Sequence, residues 1–225
     1  MRFRHEYKHN ISYIDYLALR SRLLAVAKPD GYTSADGTYL IRSLYFDNIC
    51  DKVLREKIDG VNNREKFRIR FYNRNDSVIH LEKKSKINGL CNKLSANLTR
   101  EQTENIIAGR IDFMKESKNA LLIEFYAKMK YQLLRPKTIV DYIREPYIYS
   151  PGNVRITMDS QIRTGIVSQS IFTDKLPTIN TGCGNTIILE VKYDEFLPEV
   201  INMILQLKDR RSAAFSKYAS ARIYG

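Results

Sequence analysis

The chain has 225 residues, with 37 Lys and Arg against 25 Asp and Glu, a net charge of +12 and 44% hydrophobic content. That apolar content excludes intrinsic disorder, and a chain of this length buries roughly 70% of the surface it exposes when unfolded. No apolar run approaches the ~20 residues that span a bilayer, the polar start Met1-Arg2-Phe3-Arg4-His5-Glu6 leads into no signal-peptide core, and Cys50, Cys91 and Cys183 are too scattered for a disulfide framework or zinc site.

These features predict a single domain over residues 1–225, cytoplasmic, with reduced thiols. The surplus of positive charge predicts an anionic partner: nucleic acid, a membrane surface or a phosphorylated small molecule.

In chain order, Ser12 is placed to cap a helix through Ala27, with Leu17, Leu23, Leu24 and Ala27 on one side. Lys66-Phe67-Arg68-Ile69-Arg70-Phe71 alternates basic and apolar, as a strand with one face of each kind does. In the next strand, Val78 to Lys84, His80, Glu82 and Lys84 share a face. Thr99 with Gln102 has the form of a capping box, and Gly109 suits the helix end. A second amphipathic helix is expected from Asn119 to Leu134, stopped by Pro136. Strands follow at Val154 to Asp159, with Arg155, Thr157 and Asp159 on one face, and at Ile187 to Tyr193, with Glu190 and Lys192 on one face. A third helix begins near Pro198 and runs to about Leu207, and the tail from Ser212 to Tyr224 is ambiguous.

An antiparallel sheet with its charged face in water is the simplest account of such strands. Yet Lys66, Arg68 and Arg70 stand about 7 Å apart in succession, an arrangement that repels itself unless an anion lies over it. Residues 64–93 hold nine Lys and Arg against three Asp and Glu, half the net charge in 30 residues. Strands of this kind can close into a barrel with charges inside, their outer apolar faces covered by the helices. Such a lined tunnel concentrates positive field on a polyanion.

At this point the sequence resembles the catalytic domain of the vacuolar transporter chaperone proteins, a polyphosphate polymerase module of the triphosphate tunnel metalloenzyme superfamily. The matching pieces run through nearly the whole chain: Arg4-His5-Glu6-Tyr7-Lys8, Ile41-Arg42-Ser43-Leu44-Tyr45-Phe46-Asp47, Arg64 to Tyr72, Leu81-Glu82-Lys83-Lys84 with Lys93 downstream, Tyr142-Ile143-Arg144, Val154-Arg155-Ile156, Leu189-Glu190-Val191-Lys192 and Phe215-Ser216-Lys217-Tyr218. The resemblance implies an α+β fold, a closed antiparallel barrel of about eight strands flanked by helices. It also implies transfer of the γ-phosphate of ATP to a growing polyphosphate chain, with Mn²⁺ or Mg²⁺.

By the resemblance, Arg68, Arg70, Lys84 and Lys217 carry the chemistry. Lys8, Arg42, Lys66, Lys93, Arg144, Arg155, Lys192 and Ser216 bind phosphates. Glu190, Glu6 and Glu82 are the metal-ligand candidates. The residue types agree: guanidinium forks match phosphate oxygens, lysine acts as a point charge, and hard divalent cations take carboxylates with substrate phosphates. Ordinary alternatives stand beside these roles. Arg155 can pair with Asp159, Glu190 with Lys192 or an arginine across the barrel, Glu82 with Lys84, and Lys217 can lie exposed on a surface helix. Related tunnel enzymes carry Glu-x-Glu-x-Lys on the first strand, whereas Arg4 stands at the first glutamate in this chain. That departure favours the polymerase branch over the more carboxylate-rich triphosphatases.

Two other readings stay open: a tripolyphosphatase on the same fold, and a non-catalytic polyphosphate sensor. A nucleic-acid binder is not expected, because Phe67 and Phe71 lie on the face opposite Arg68, where they cannot form a stacking platform with it. No membrane segment is present, which leaves room for a membrane partner protein on a separate chain.

Overall fold

The computed structural model describes residues 4–31, 33–182, 186–207, 211–212 and 215–223. Cys183 and, within the ambiguous tail, positions 213, 214 and 224 therefore lie outside the described residues. Among those described, the strands are β1 (His5–Ile11), β2 (Lys28–Pro29), β3 (Tyr39–Asp47), β4 (Arg64–Tyr72), β5 (Asn75–Ile87), β6 (Leu90–Leu98), β7 (Arg135–Tyr149), β8 (Val154–Thr164), β9 (Ile179–Asn180), β10 (Ile187–Tyr193) and β11 (Arg211–Ser212). The α-helices are α1 (Tyr13–Val26), α2 (Lys52–Ile58), α3 (Arg100–Ile107), α4 (Ala120–Tyr131), α5 (Glu199–Ile204) and α6 (Lys217–Ala221).

Eight long strands pair antiparallel in the order β1-β10-β8-β7-β3-β4-β5-β6. The sheet curls until its two end strands meet, where Arg4 and Cys91 form an antiparallel bridge. The expected α+β barrel is thus the fold, and its seam lies between β1 and β6.

The sheet is apolar outside and charged inside. Phe67, Ile69 and Phe71 of β4 turn outward into a core with Phe46, Leu81, Ile106 of α3, and Leu122, Phe125 and Met129 of α4. On the other side of the barrel, Ile156, Met158, Leu189 and Val191 pack under Leu19 and Leu23 of α1 and Ile201 of α5. A third cluster fills part of the interior: Tyr218 and Ala221 of α6 pack against Ile41, Tyr45, Val140, Tyr142, Ile162 and Ile188.

Local chemistry sets the helix boundaries. Ser12 and Asp15 form a reciprocal capping box at the start of α1, and Thr99 and Gln102 do so for α3. Gly109, at φ +77°, follows the end of α3 in a backbone conformation that suits glycine. Asn119 caps α4, which ends at Tyr131, before the expected stop, because Leu133 turns to φ 55° ahead of Pro136. The expected apolar face of α1 is also corrected. Leu17 and Leu24 are 47% and 52% exposed, whereas Leu19, Leu23 and Ala27 are buried. The sheet meets the helix along the line through Leu19 and Leu23.

Candidate functional site

Alternation along each strand decides what faces the interior. On β4 it turns Lys66, Arg68 and Arg70 inward; the neighbouring strands bring in Glu6, Lys8, Glu82, Lys84, Lys93, Arg144, Arg155, Glu190 and Lys192. With Lys217 from α6, they surround a cavity of about 350 Å³. Among the described residues, its lining holds eleven Lys and Arg against three Glu, so the wall cannot neutralise itself.

Register explains how so many charges coexist. On β1 and β10, acid stands opposite base: Glu6 faces Lys192, and Lys8 faces Glu190. Directly opposed unlike charges attract, and like charges repel. Between β4 and β5 the rule holds for Arg68 opposite Glu82 but is broken two residues away, where Lys66, Lys84 and Lys93 form one row across β4, β5 and β6. Lys84 escapes by pairing with Glu6 at 2.8 Å, and Lys93 by pairing with Glu82 at 3.0 Å. Lys66 has no carboxylate partner among the described residues, and it lies 5.6 Å from the centre of the Tyr45 ring. Burial, reinforced by Lys84, Lys8 and Arg68 and only partly offset by Tyr45, pushes the Lys66 ammonium down to about 7.

The arginines are held in fixed orientations. Glu82 accepts from Arg68 Nε at 2.7 Å and Nη2 at 2.6 Å, and Arg68 Nη1 donates to the Tyr45 hydroxyl at 3.1 Å. Arg70 donates to Ser43 Oγ at 2.9 Å and Tyr142 Oη at 2.8 Å. Arg144 grips Asp159 with Nε at 2.6 Å and Nη2 at 2.7 Å, and Lys217 Nζ lies 2.5 Å from the same carboxylate. Arg155 pairs with Asp30 at 2.7 Å, not with Asp159. Asp159 is already shared by Arg144 and Lys217, and β2 leads straight into Asp30 beside Arg155.

The acids stay ionised. Burial and Glu190 work to raise Glu6, but Lys84, Lys8 and Lys192 bring it down to about 2. Burial opposes ionisation of Glu190 as well, yet Lys192, Lys8, Lys84 and Arg144 hold it well below the usual carboxylate range. Lys192 Nζ is 2.7 Å from Glu190 and 3.7 Å from Glu6. No group of three or more His, Cys, Asp or Glu suited to a metal occurs among the described residues. The donor set still fits a hard divalent cation, since such ions are commonly held by one or two carboxylates plus phosphate oxygens. Glu82 is not gathered with that pair; its partners are Arg68, Arg70 and Lys93.

Arg42 lies elsewhere. It shares the outward face of β3 with Leu44 and Phe46. There it makes a forked ion pair with Asp141, at 2.9 and 2.8 Å, and donates to the carbonyls of Ile171 and Thr173 at 3.1 and 2.5 Å. The expectation of a phosphate-binding Arg42 is therefore corrected: its guanidinium pins the 171–173 segment to the outside of the barrel. Ser216 lines the cavity, and its hydroxyl also caps α6 by accepting from the Ala219 amide at 3.3 Å. Tyr45, Tyr142 and Asp159 orient the cations, and sequence reasoning had not given them that role. Asp159 was discoverable from its place on the ionic face of its strand; nothing local marks Asp30.

The VTC domain family model matches residues 3–223. No curated protein matches the chain. Among solved structures, a candidate adenylate cyclase from Bacillus halodurans is similar over 90% of this chain and 86% of its own, at 12% identity and a TM-score of 0.54. A Pyrococcus horikoshii protein aligns with 89% of this chain and 84% of its own, at 14% identity and a TM-score of 0.46. The first of these likenesses supports the fold and nothing finer.

Proposed function

The chain belongs to the VTC domain family, and on that premise we propose that it is a metal-dependent phosphotransferase that lengthens inorganic polyphosphate with the γ-phosphate of ATP. The observation that carries this reading is the inward row Lys66–Lys84–Lys93 in a cavity with an excess of cations. Glu6 and Glu82 offset Lys84 and Lys93, but Lys66 has no carboxylate partner among the described residues, and a polyanion along the row would neutralise the remaining surplus of cations.

The reaction forms a bond between a terminal oxygen of the polyphosphate chain and the γ-phosphorus, and breaks the bond from that phosphorus to the β,γ-bridging oxygen. ADP leaves, and the chain is one phosphate longer. The attacking oxygen is already anionic, so positioning and charge neutralisation are the protein's main tasks. Arg68 and Arg70, oriented by Glu82, Tyr45, Ser43 and Tyr142, stabilise charge on the transferred group together with Lys84 and Lys217. Lys8, Lys66, Lys93, Arg144, Arg155, Lys192 and Ser216 hold the flanking phosphates. Because these cations are oriented before the ligand arrives, little reorganisation remains for the reaction itself. Glu190 and Glu6 would hold Mn²⁺ or Mg²⁺, which when bound offsets charge on phosphate oxygens.

Among the described residues, no helix is long and apolar enough to cross a membrane. Free Cys50 and Cys91 suit a reducing, cytoplasmic setting.

A polyphosphate sensor is the second reading, favoured by one observation: Lys192 already neutralises Glu190 without a metal. The two separate in one incubation of the protein with ATP and Mn²⁺, its products resolved on a gel stained for polyphosphate. A ladder that Arg68→Ala and Glu190→Gln both abolish supports the polymerase. Phosphate release from tripolyphosphate without a ladder points to a tripolyphosphatase. Tight polyphosphate binding that needs Arg68 but not Glu190, with neither product, points to the sensor.

A further inference from the structure

Most buried polar atoms of the inner wall have a hydrogen-bond partner, but two atoms of β8 do not. Thr157 Oγ1 and Arg155 Nε are buried with no hydrogen-bond partner. Thr157 is only 4% exposed. It lies on the inward face of β8 between Arg155 and Asp159, stands opposite Glu190 on β10, and lines the cavity. A hydroxyl without a partner in the interior is destabilising, and such groups are rare unless something absent satisfies them. Arg155 spends Nη2 on Asp30 and on the Tyr39 hydroxyl, which fixes its guanidinium and leaves Nε unpaired.

We propose that Thr157 Oγ1 and Arg155 Nε form a phosphoryl-oxygen subsite beside Glu190, with Thr157 a substrate-binding residue in its own right. The inference rests on the cavity being a phosphate site and adds a neutral donor to an otherwise ionic wall. Both groups can donate, so they suit an acceptor-only oxygen such as that of a phosphate. A hydroxyl also tolerates the approach of Glu190, which a further cation at this position would neutralise.

The test compares the parent with Thr157→Val, Thr157→Ala and Thr157→Ser. Each is assayed by calorimetric titration with inorganic tripolyphosphate in one arm and ATP in the other, beside thermal unfolding without ligand. Loss of the hydroxyl in Thr157→Val is expected to weaken binding about tenfold in one arm or both, and Thr157→Ser to stay within about twofold of the parent. A deficit in both arms assigns the subsite to any phosphate chain, and one confined to ATP assigns it to the nucleotide's triphosphate; either supports the proposal. Ligand-free Thr157→Val is expected to unfold at the parent's temperature or above. Full affinity in Thr157→Val and Thr157→Ala would mean that the hydroxyl meets only a buried water, and would overturn the proposal. Marked destabilisation of both variants without ligand would overturn it too, by implying a partner within the protein. A parent that binds neither ligand would overturn the reading of the whole cavity and the subsite with it.

Discussion

Lys84 Nζ reaches from β5 past β6 to β1, lying 2.8 and 3.0 Å from the two carboxylate oxygens of Glu6. With the Arg4–Cys91 bridge, this fork holds the seam of the barrel shut. Removing it should loosen the seam before anything else. In Lys84→Gln, backbone amides of β1 and β6 are expected to exchange with deuterium faster, while those of β7 and β8 keep the parent's rate. Uniform acceleration across all strands would show that the fork is no special clasp.

Glu82 is 2% exposed and anchors Arg68, with Arg70 at 3.7 Å and Lys93 at 3.0 Å. Glu82→Ala leaves buried guanidinium charge uncompensated, a change that typically costs about 3–5 kcal/mol. Tripolyphosphate supplies the missing anion, so it should raise the melting temperature of Glu82→Ala by more than that of the parent. An equal rise in both proteins would contradict this.

Arg42→Ala should separate structure from binding. Its guanidinium is buried against Asp141 on the outside of the barrel, so the loss in stability should be about 3–5 kcal/mol by denaturant titration. Affinity for tripolyphosphate should stay within about twofold, since tenfold is about 1.4 kcal/mol and Arg42 lines no part of the cavity. Tenfold weaker binding in the folded variant would return Arg42 to the site.

Lys66 gives the site a pH dependence. Its ammonium is lowered to about 7, chiefly by burial, whereas in an unfolded chain lysine holds its proton to about 10.4. Between those values the unfolded state binds more protons. The contribution of Lys66 to stability therefore rises with pH across that window, and below it the buried charge is fully destabilising. A polyanion reverses the preference. Tripolyphosphate binding at pH 8 should take up more protons in the parent than in Lys66→Met, as calorimetry in buffers of different ionisation enthalpy would show. Identical uptake would mean that Lys66 is already charged.

Glu190→Gln carries opposite expectations for its two ligands. Without metal, losing a negative charge from the wall should leave tripolyphosphate affinity equal or higher. With Mn²⁺, any gain that the metal brings to the parent should vanish. Mn²⁺ titrations followed by electron paramagnetic resonance would check this, and unchanged Mn²⁺ binding would remove Glu190 from the metal site.

Much of this was legible in the chain because it is local. Ser12 with Asp15, Thr99 with Gln102 and Asn119 announce helix starts within a few residues. Alternation in β4 gave the direction of Arg68 and Arg70, because Phe67 and Ile69 must face a core. The same test fails for Arg42, since nearly all of β3 is buried on both faces and carries no alternation. The family likeness supplied the residue, but only the fold could supply its direction. The short helix α2 has no buried residue, and its first amides donate to Asn48 and Asp47 rather than to the adjacent Asp51, so it left no periodic or capping signal. The pairings that orient the arginines were illegible for another reason: Asp30 meets Arg155 across 125 positions, and Asp159 meets Lys217 from a different element.

The sheet's connectivity also bears on how the protein comes to exist. β1 is the first strand in the chain, yet its long neighbour is β10, at residues 187–193, and Lys217 reaches Asp159 only after that. Emerging from a ribosome, the six long strands from β3 to β8 can pair with one another, but β1 must wait as an unpaired edge carrying Glu6 and Lys8. Contacts so distant in sequence make folding slow, because loop closure must precede the gain from pairing. A nascent chain truncated before residue 187 would expose Lys66, Lys84 and Arg144 in an open trough. The cavity is therefore completed only when β10 and α6 bring Glu190, Lys192 and Lys217 to its wall.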